Sequence, residues 1–251
     1  MVNNIEQQAH ALTPLLTTPL SSSSYPRFPF LTLLISGGHT MILLALSNTR
    51  FKLLATTVDE AVGRTIDKVA RNLGLEWKGR APGAALEAFC RDGIPGVRDE
   101  DLPKIDSFKI PFNNVLSFSF SGLHSMLDRY ILKHGVIPAT QNDVAVASNP
   151  NYDPRKGGRI DLKRIPILPD AHRLAVARAF QDAAISQLES KVILALEWCS
   201  KNRATIVQEM SALGAGHGNI SETNELLVSH IVVSGGVASN AYLRKRFVSY
   251  L

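Results

Sequence analysis

A chain of 251 residues with 45% hydrophobic content can bury a sizeable core, as one large domain or two small ones. Two cysteines, Cys90 and Cys199, are too few for a disulfide scaffold; they point to a reducing compartment and to ordinary core positions. The net charge of +5 permits an anionic partner such as RNA without demanding one, and no apolar stretch approaches the ~20 residues of a membrane span.

The first residues, MVNNIEQQAHALTPLL, carry neither an apolar signal core nor an Arg-rich transit pattern and predict a helix over 5–16, ended by Pro19 and the serine run 21–24. Apolar runs at 30–36 and 40–46 predict a hairpin, and FKLLATTV (51–58) a third strand, giving an antiparallel meander. Thr57 and Glu60 have the spacing of a capping box for a helix over 58–73, with Val62, Ile66, Val69 and Leu73 as its apolar stripe and Gly74 as its stop. A helix at 83–91 follows, then a Pro/Gly-rich loop near 93–103 and a strand turning into a helix within 114–135. Residues 135–170 read as a long loop whose Arg155, Lys156, Arg159, Lys163 and Arg164 either stay solvated or touch RNA. A long amphipathic helix over 171–203, a buried strand at 230–234 and a helix carrying Arg244, Lys245 and Arg246 complete an α/β order.

Two places stand out chemically. Ser36-Gly37-Gly38 and Ser234-Gly235-Gly236 each end an apolar run. Glycines there serve a tight turn, or they let backbone N–H groups converge on an anion; at the second place a helix N-terminus would assist. In the helix over 58–73, Gly63 and Asp67 share one face. A mid-helix glycine costs about 1 kcal/mol, which implies close approach, by a neighbouring helix or by a ligand whose hydroxyls Asp67 would accept. Neither GxGxxG nor GxxxxGK[ST] occurs.

FPFLTLLISGGHTMIL, VDEAVGRTIDKVARNLGL, LSFSFSGLHSML and IVVSGGVASNAYLRKRF, in that order, resemble the TsaD family of tRNA threonylcarbamoyladenosine synthases, with HALTPLL and DKVAR closest in wording to its mitochondrial branch. The resemblance implies the two-lobed α/β fold of actin, sugar kinases and heat-shock ATPases. Residues 1–24 would be a remnant of the N-terminal lobe and 25–251 an incomplete C-terminal lobe. It also implies transfer of a threonylcarbamoyl group from threonylcarbamoyl-AMP to the N6 amine of the adenosine beside a tRNA anticodon, in mitochondria, with a homodimer possible and no membrane involved. Leu34, Ile35, Ser36, Gly37 and Gly38 would lie along the adenylate, Asp67 and Gly83 would hold it, and Asn240 would line its adenosine side.

The family's iron or zinc sits on an H-x-x-x-H helix and a C-terminal aspartate. Here His10 matches the second histidine, Glu6 stands at the first, and the aspartate has no counterpart, so weak or absent metal is expected. The family commonly has lysine where His124 stands, and its spacing between the counterparts of Asp67 and Gly83 is shorter. Competing readings are a catalytically silent partner subunit, a kinase or ATPase of the same superfold, and a peptidase; for the last, no H-E-x-x-H occurs.

Overall fold

A computed structural model describes residues 5–136, 167–213 and 227–250, with the side chains of 5–7 and 249–250 left aside. Most of the basic loop predicted at 135–170 lies outside the described residues, including all five of its named cations. The described elements are α1 (Ile5–Thr17), β1 (Phe30–Ile35), β2 (Thr40–Ala45), β3 (Phe51–Thr56), α2 (Val62–Asn72), α3 (Pro82–Asp92), α4 (Ser121–His134), α5 (Asp170–Lys201), α6 (Arg203–Ala212), β4 (Ile231–Ser234) and α7 (Ala241–Tyr250). A single 3₁₀ turn, Gly236–Ser239, joins β4 to α7.

The sheet order is β3-β2-β1-β4, with β1 antiparallel to β2, β2 antiparallel to β3, and β1 parallel to β4. Every residue of β1 and β2 is buried, the signature of strands covered on both faces. Alternation sorts their side chains: Phe30, Ala45, Phe51 and Val232 meet Ala11 of α1 on one face. Leu31, Leu33, Ile35, Ile42 and Leu44 join the main core with Val69 of α2, Leu127 of α4 and Phe180 of α5 on the other. This is the mixed α/β architecture expected of the actin-like class. Cys90 and Cys199 are free and buried, and burial pushes their thiols up to about 12 and about 11.

Three expectations are corrected. The helix predicted over 58–73 begins at Val62, and neither Thr57 nor Glu60 caps it. The intervening residues are held against 118–121 instead: Val58 N–H donates to the Phe118 carbonyl, and Asp59 binds the start of α4. The strand expected before α4 is only an isolated bridge between Thr57 and Phe118. At Ser119 a side chain of α5 satisfies the backbone: Gln187 accepts from Ser119 N–H and donates to the Ser119 carbonyl, both at 3.0 Å; before the segment, buried Lys191 donates to the Phe112 carbonyl. The long helix over 171–203 divides at Asn202, whose amide side chain donates to the Trp198 carbonyl at 2.8 Å.

Candidate functional site

The β1–β2 turn is closed from within. Ser36 N–H donates to the His39 carbonyl (2.8 Å), while Ser36 Oγ accepts from Gly38 N–H (3.2 Å) and His39 N–H (3.0 Å). Two of the amides that would form an anion nest are therefore already engaged by the serine. The same turn caps α2: Thr40 Oγ1 accepts from Val62 N–H at 2.8 Å and the Ser36 carbonyl accepts from Gly63 N–H at 3.2 Å, satisfying donors that every helix start leaves orphaned. A Cβ on Gly63 would stand 2.7 Å from the Ser36 carbonyl oxygen, so the close approach foreseen there is made by the turn's backbone and not by another helix. Gly235 has φ +100°, and a Cβ there would fall 2.3 Å from the Ile35 carbonyl oxygen. Gly37 and Gly38 face open space.

These approaches draw the β1–β2 turn, α2, the start of α3 and the 3₁₀ turn around one cleft of about 700 Å³. Gly37, Asp67, Gly83 and Asn240 all line it, as do Gly63, Glu87 and Gly236. Asp67 Oδ1 accepts the Gly83 N–H at 3.0 Å, tying α2 to the start of α3; a Cβ on Gly83 would lie 3.2 Å from Ile66 Cγ2. Asn240 Oδ1 accepts the Leu243 N–H at 2.8 Å and caps α7, which leaves its amide donors for a ligand. Glu87 Oε1 accepts the Ala241 N–H at 2.7 Å, so α3 and α7 are also joined across the cleft. Next to it is a narrow apolar crevice with room for little more than a water molecule, lined by Val62, Leu86, Leu188 and Leu243 and sharing Gly83 and Asn240 with the cleft. Gln181 lines this crevice, and its buried Oε1 has no hydrogen-bond donor among the described residues.

Leu34 and Ile35, placed beside the ligand by the resemblance, point their side chains into the core, so only their backbone is left to meet a ligand. Gly38 is exposed at the tip of the turn next to the lining Gly37. His124 sits on α4 within 3.1 Å of the Asn72 amide, among residues that do not line the cleft. Glu87 went unnoticed in the sequence; its position one helical turn after Gly83 was the available signal.

Asp59 is the other residue that sequence reading missed. Its carboxylate accepts from Ser121 Oγ (2.6 Å), Ser119 Oγ (2.7 Å), Phe120 N–H (3.0 Å) and Glu60 N–H (2.6 Å). Burial alone would raise its pKa, but these bonds outweigh that and hold the carboxyl well below the usual carboxylate range. Asp59 thus fixes the start of α4 beside α2. At the other end, Arg246 of α7 grips nearly buried Glu189 and, at 2.5 Å, Asp182 of α5, which fixes the helix that Asn240 begins.

Metal ligands are a different matter. His10 is exposed on α1, on the sheet face opposite α2, and the Glu6 side chain is outside the described ones. Among the described residues no three of His, Cys, Asp and Glu gather into a possible metal site. No chemistry is assigned to a metal.

A family model described as "TsaD: tRNA N6-adenosine threonylcarbamoyltransferase" matches residues 2–249. The chain belongs to the TsaD family. A curated relative from Buchnera aphidicola, named tRNA N6-adenosine threonylcarbamoyltransferase, is 32% identical over 97% of the chain and 50% of its own length. One from Arabidopsis thaliana, named a probable mitochondrial enzyme of the same kind, is 31% identical over 95% of the chain and 38% of its own length. A Polynucleobacter asymbioticus relative with the Buchnera protein's name is 40% identical over 45% of the chain and 29% of its own length. The chain spans about half, or less, of the length of these TsaD relatives. No described helix is long and apolar enough to cross a membrane.

Proposed function

We propose that this chain binds threonylcarbamoyl-AMP and serves its reaction with tRNA, in which the N6 amine of the adenosine next to the anticodon, in tRNAs reading ANN codons, attacks the carbamoyl carbon. The new N–C bond forms as the C–O bond to the phosphate breaks; AMP leaves with that electron pair, and N6 loses a proton. The observation that carries this reading is the convergence of Gly37, Asp67, Gly83 and Asn240, from four separate segments, on one cleft. Asp67 is an acceptor for ligand hydroxyls, Asn240 a donor, and the glycines leave room for the ligand to approach the backbone. No residue is assigned as the base that takes the N6 proton, and residues 25–251 act as the ligand-holding lobe.

The test is transfer of threonylcarbamoyl from its adenylate to unmodified tRNA by the purified chain, alongside calorimetric binding of a non-reactive adenylate analogue. Binding with turnover supports the enzyme reading. Binding without turnover makes the chain a silent partner, whose self-association light scattering would measure. The absence of binding removes both. A mitochondrial setting, supported by the name of the Arabidopsis relative, is tested by imaging the gene product; a purely cytosolic signal would refute it.

A further inference from the structure

α3 has a second cleft on its other side. Whereas Gly83 and Glu87 face the adenylate cleft, Ala85, Ala88 and Phe89 form part of an open groove. The loop between α2 and α3 forms its rim. That loop turns through three left-handed residues, Gly74 (φ +61°), Lys78 (φ +48°) and Gly79 (φ +78°), and a bond from Arg80 N–H to the Trp77 carbonyl at 2.8 Å closes it. Trp77 is thereby held 42% exposed, with the Arg71 guanidinium over its ring at 5.7 Å.

Electrostatics select the occupant. The groove is lined by Lys78, Arg80 and Arg173 against Glu76 and Asp92. Glu76 lies 3.8 Å from Lys78, so those two charges offset each other, and Asp92 accepts two bonds from Arg91 at 2.7 and 3.1 Å, which leaves Arg80 and Arg173 as the groove's positive excess. Arg173 stacks over Phe89 at 5.5 Å and pairs with Asp170, and its buried Nε has no acceptor among the described residues. Arg71 and Arg80 form no ion pair among the described residues. An exposed indole beside the Arg80 guanidinium matches an unstacked base followed by its phosphate, the way single-stranded and loop RNA is recognised. One helix, about 10–12 Å across, separates this groove from the adenylate cleft, so a strand whose adenosine enters one can lay a neighbouring nucleotide in the other.

We infer that the groove between the 74–80 loop and α3 is an RNA-docking surface, in which Trp77 stacks on a base near the reacting adenosine and Arg80 holds its phosphate, with Lys78 exchanging Glu76 for a phosphate. The inference rests on the tRNA reading above. Fluorescence anisotropy of a labelled anticodon stem-loop RNA with the full chain tests it, with adenylate-analogue calorimetry on the same preparations as the control. The double substitution Lys78→Glu/Arg80→Glu is expected to weaken RNA binding at least tenfold and to flatten its salt dependence by about one to two phosphate contacts. Trp77→Ala is expected to cost about tenfold, and Trp77→Phe to restore most of it. Adenylate affinity should stay unchanged throughout. Parental RNA affinity in the charge-reversed and Trp77→Ala proteins would overturn the surface assignment alone, as would equal competition by polyglutamate. Absence of RNA binding by the parent chain would overturn the tRNA reading with it.

Discussion

The same tripeptide, Ser-Gly-Gly, ends β1 and β4, and the two copies do different work. At the end of β4, Gly235 has a positive φ and a Cβ there would collide with the Ile35 carbonyl, so the fold calls for glycine. At the end of β1, Gly37 and Gly38 have open space where a Cβ would go; Gly37 lines the cleft, and folding alone does not demand glycine there. A repeated motif is therefore no evidence of a repeated role. One copy builds the cleft wall, and the other keeps the cleft open.

Substitutions can break this contrast. Gly235→Ala should be the most damaging: both the clash and the left-handed backbone oppose it, and a loss of about 3–5 kcal/mol is expected by denaturant unfolding. Gly63→Ala comes next. Alanine is worth about 1 kcal/mol more than glycine inside a helix, so a net loss of about 2 kcal/mol would show that contact with the Ser36 carbonyl outweighs propensity, whereas a gain would show that the turn yields. Asp59→Asn should cost most near neutral pH, with the difference from the parent shrinking in acid. Because the folded carboxyl titrates below its unfolded value of about 3.9, its contribution is present above about pH 4 and is lost as pH falls through the folded pKa. Stability of the parent should therefore decline below about pH 4, and the Asp59→Asn protein should lose part of that slope. Gly38→Ala should be smallest, within about 0.5 kcal/mol.

The sheet was legible because its signals are local. Apolar runs and turn residues are enough to place β1, β2 and β3, and the apolar run IVVS is enough to place β4. The start of α2 was not. Thr57 and Glu60 have capping-box spacing, yet the cap comes from Thr40 and Ser36, more than twenty residues earlier, and Asp59 is claimed by serines some sixty residues later. Pairings of that range leave no periodicity in the sequence. The segment 114–120 misled for a related reason: its alternating LSFSF pattern reads as a strand, but only Phe118 pairs with the end of β3, and the Gln187 side chain of α5 satisfies the backbone of Ser119. In the cleft, Asp67, Gly83 and Asn240 were named through the resemblance, while Glu87 and the direct bond between Asp67 and Gly83 emerged only from the fold.

Calorimetric titration of a non-reactive threonylcarbamoyl-adenylate analogue into the parent, Gly37→Val and Gly38→Ala proteins addresses the cleft itself. Saturable one-site binding is expected for the parent, with affinity retained in Gly38→Ala and at least tenfold weaker in Gly37→Val, whose added bulk enters the cleft while the fold stays intact. Equal affinity in all three, with unfolding midpoints unchanged, would place the ligand away from Gly37 and leave the first Ser-Gly-Gly as a turn.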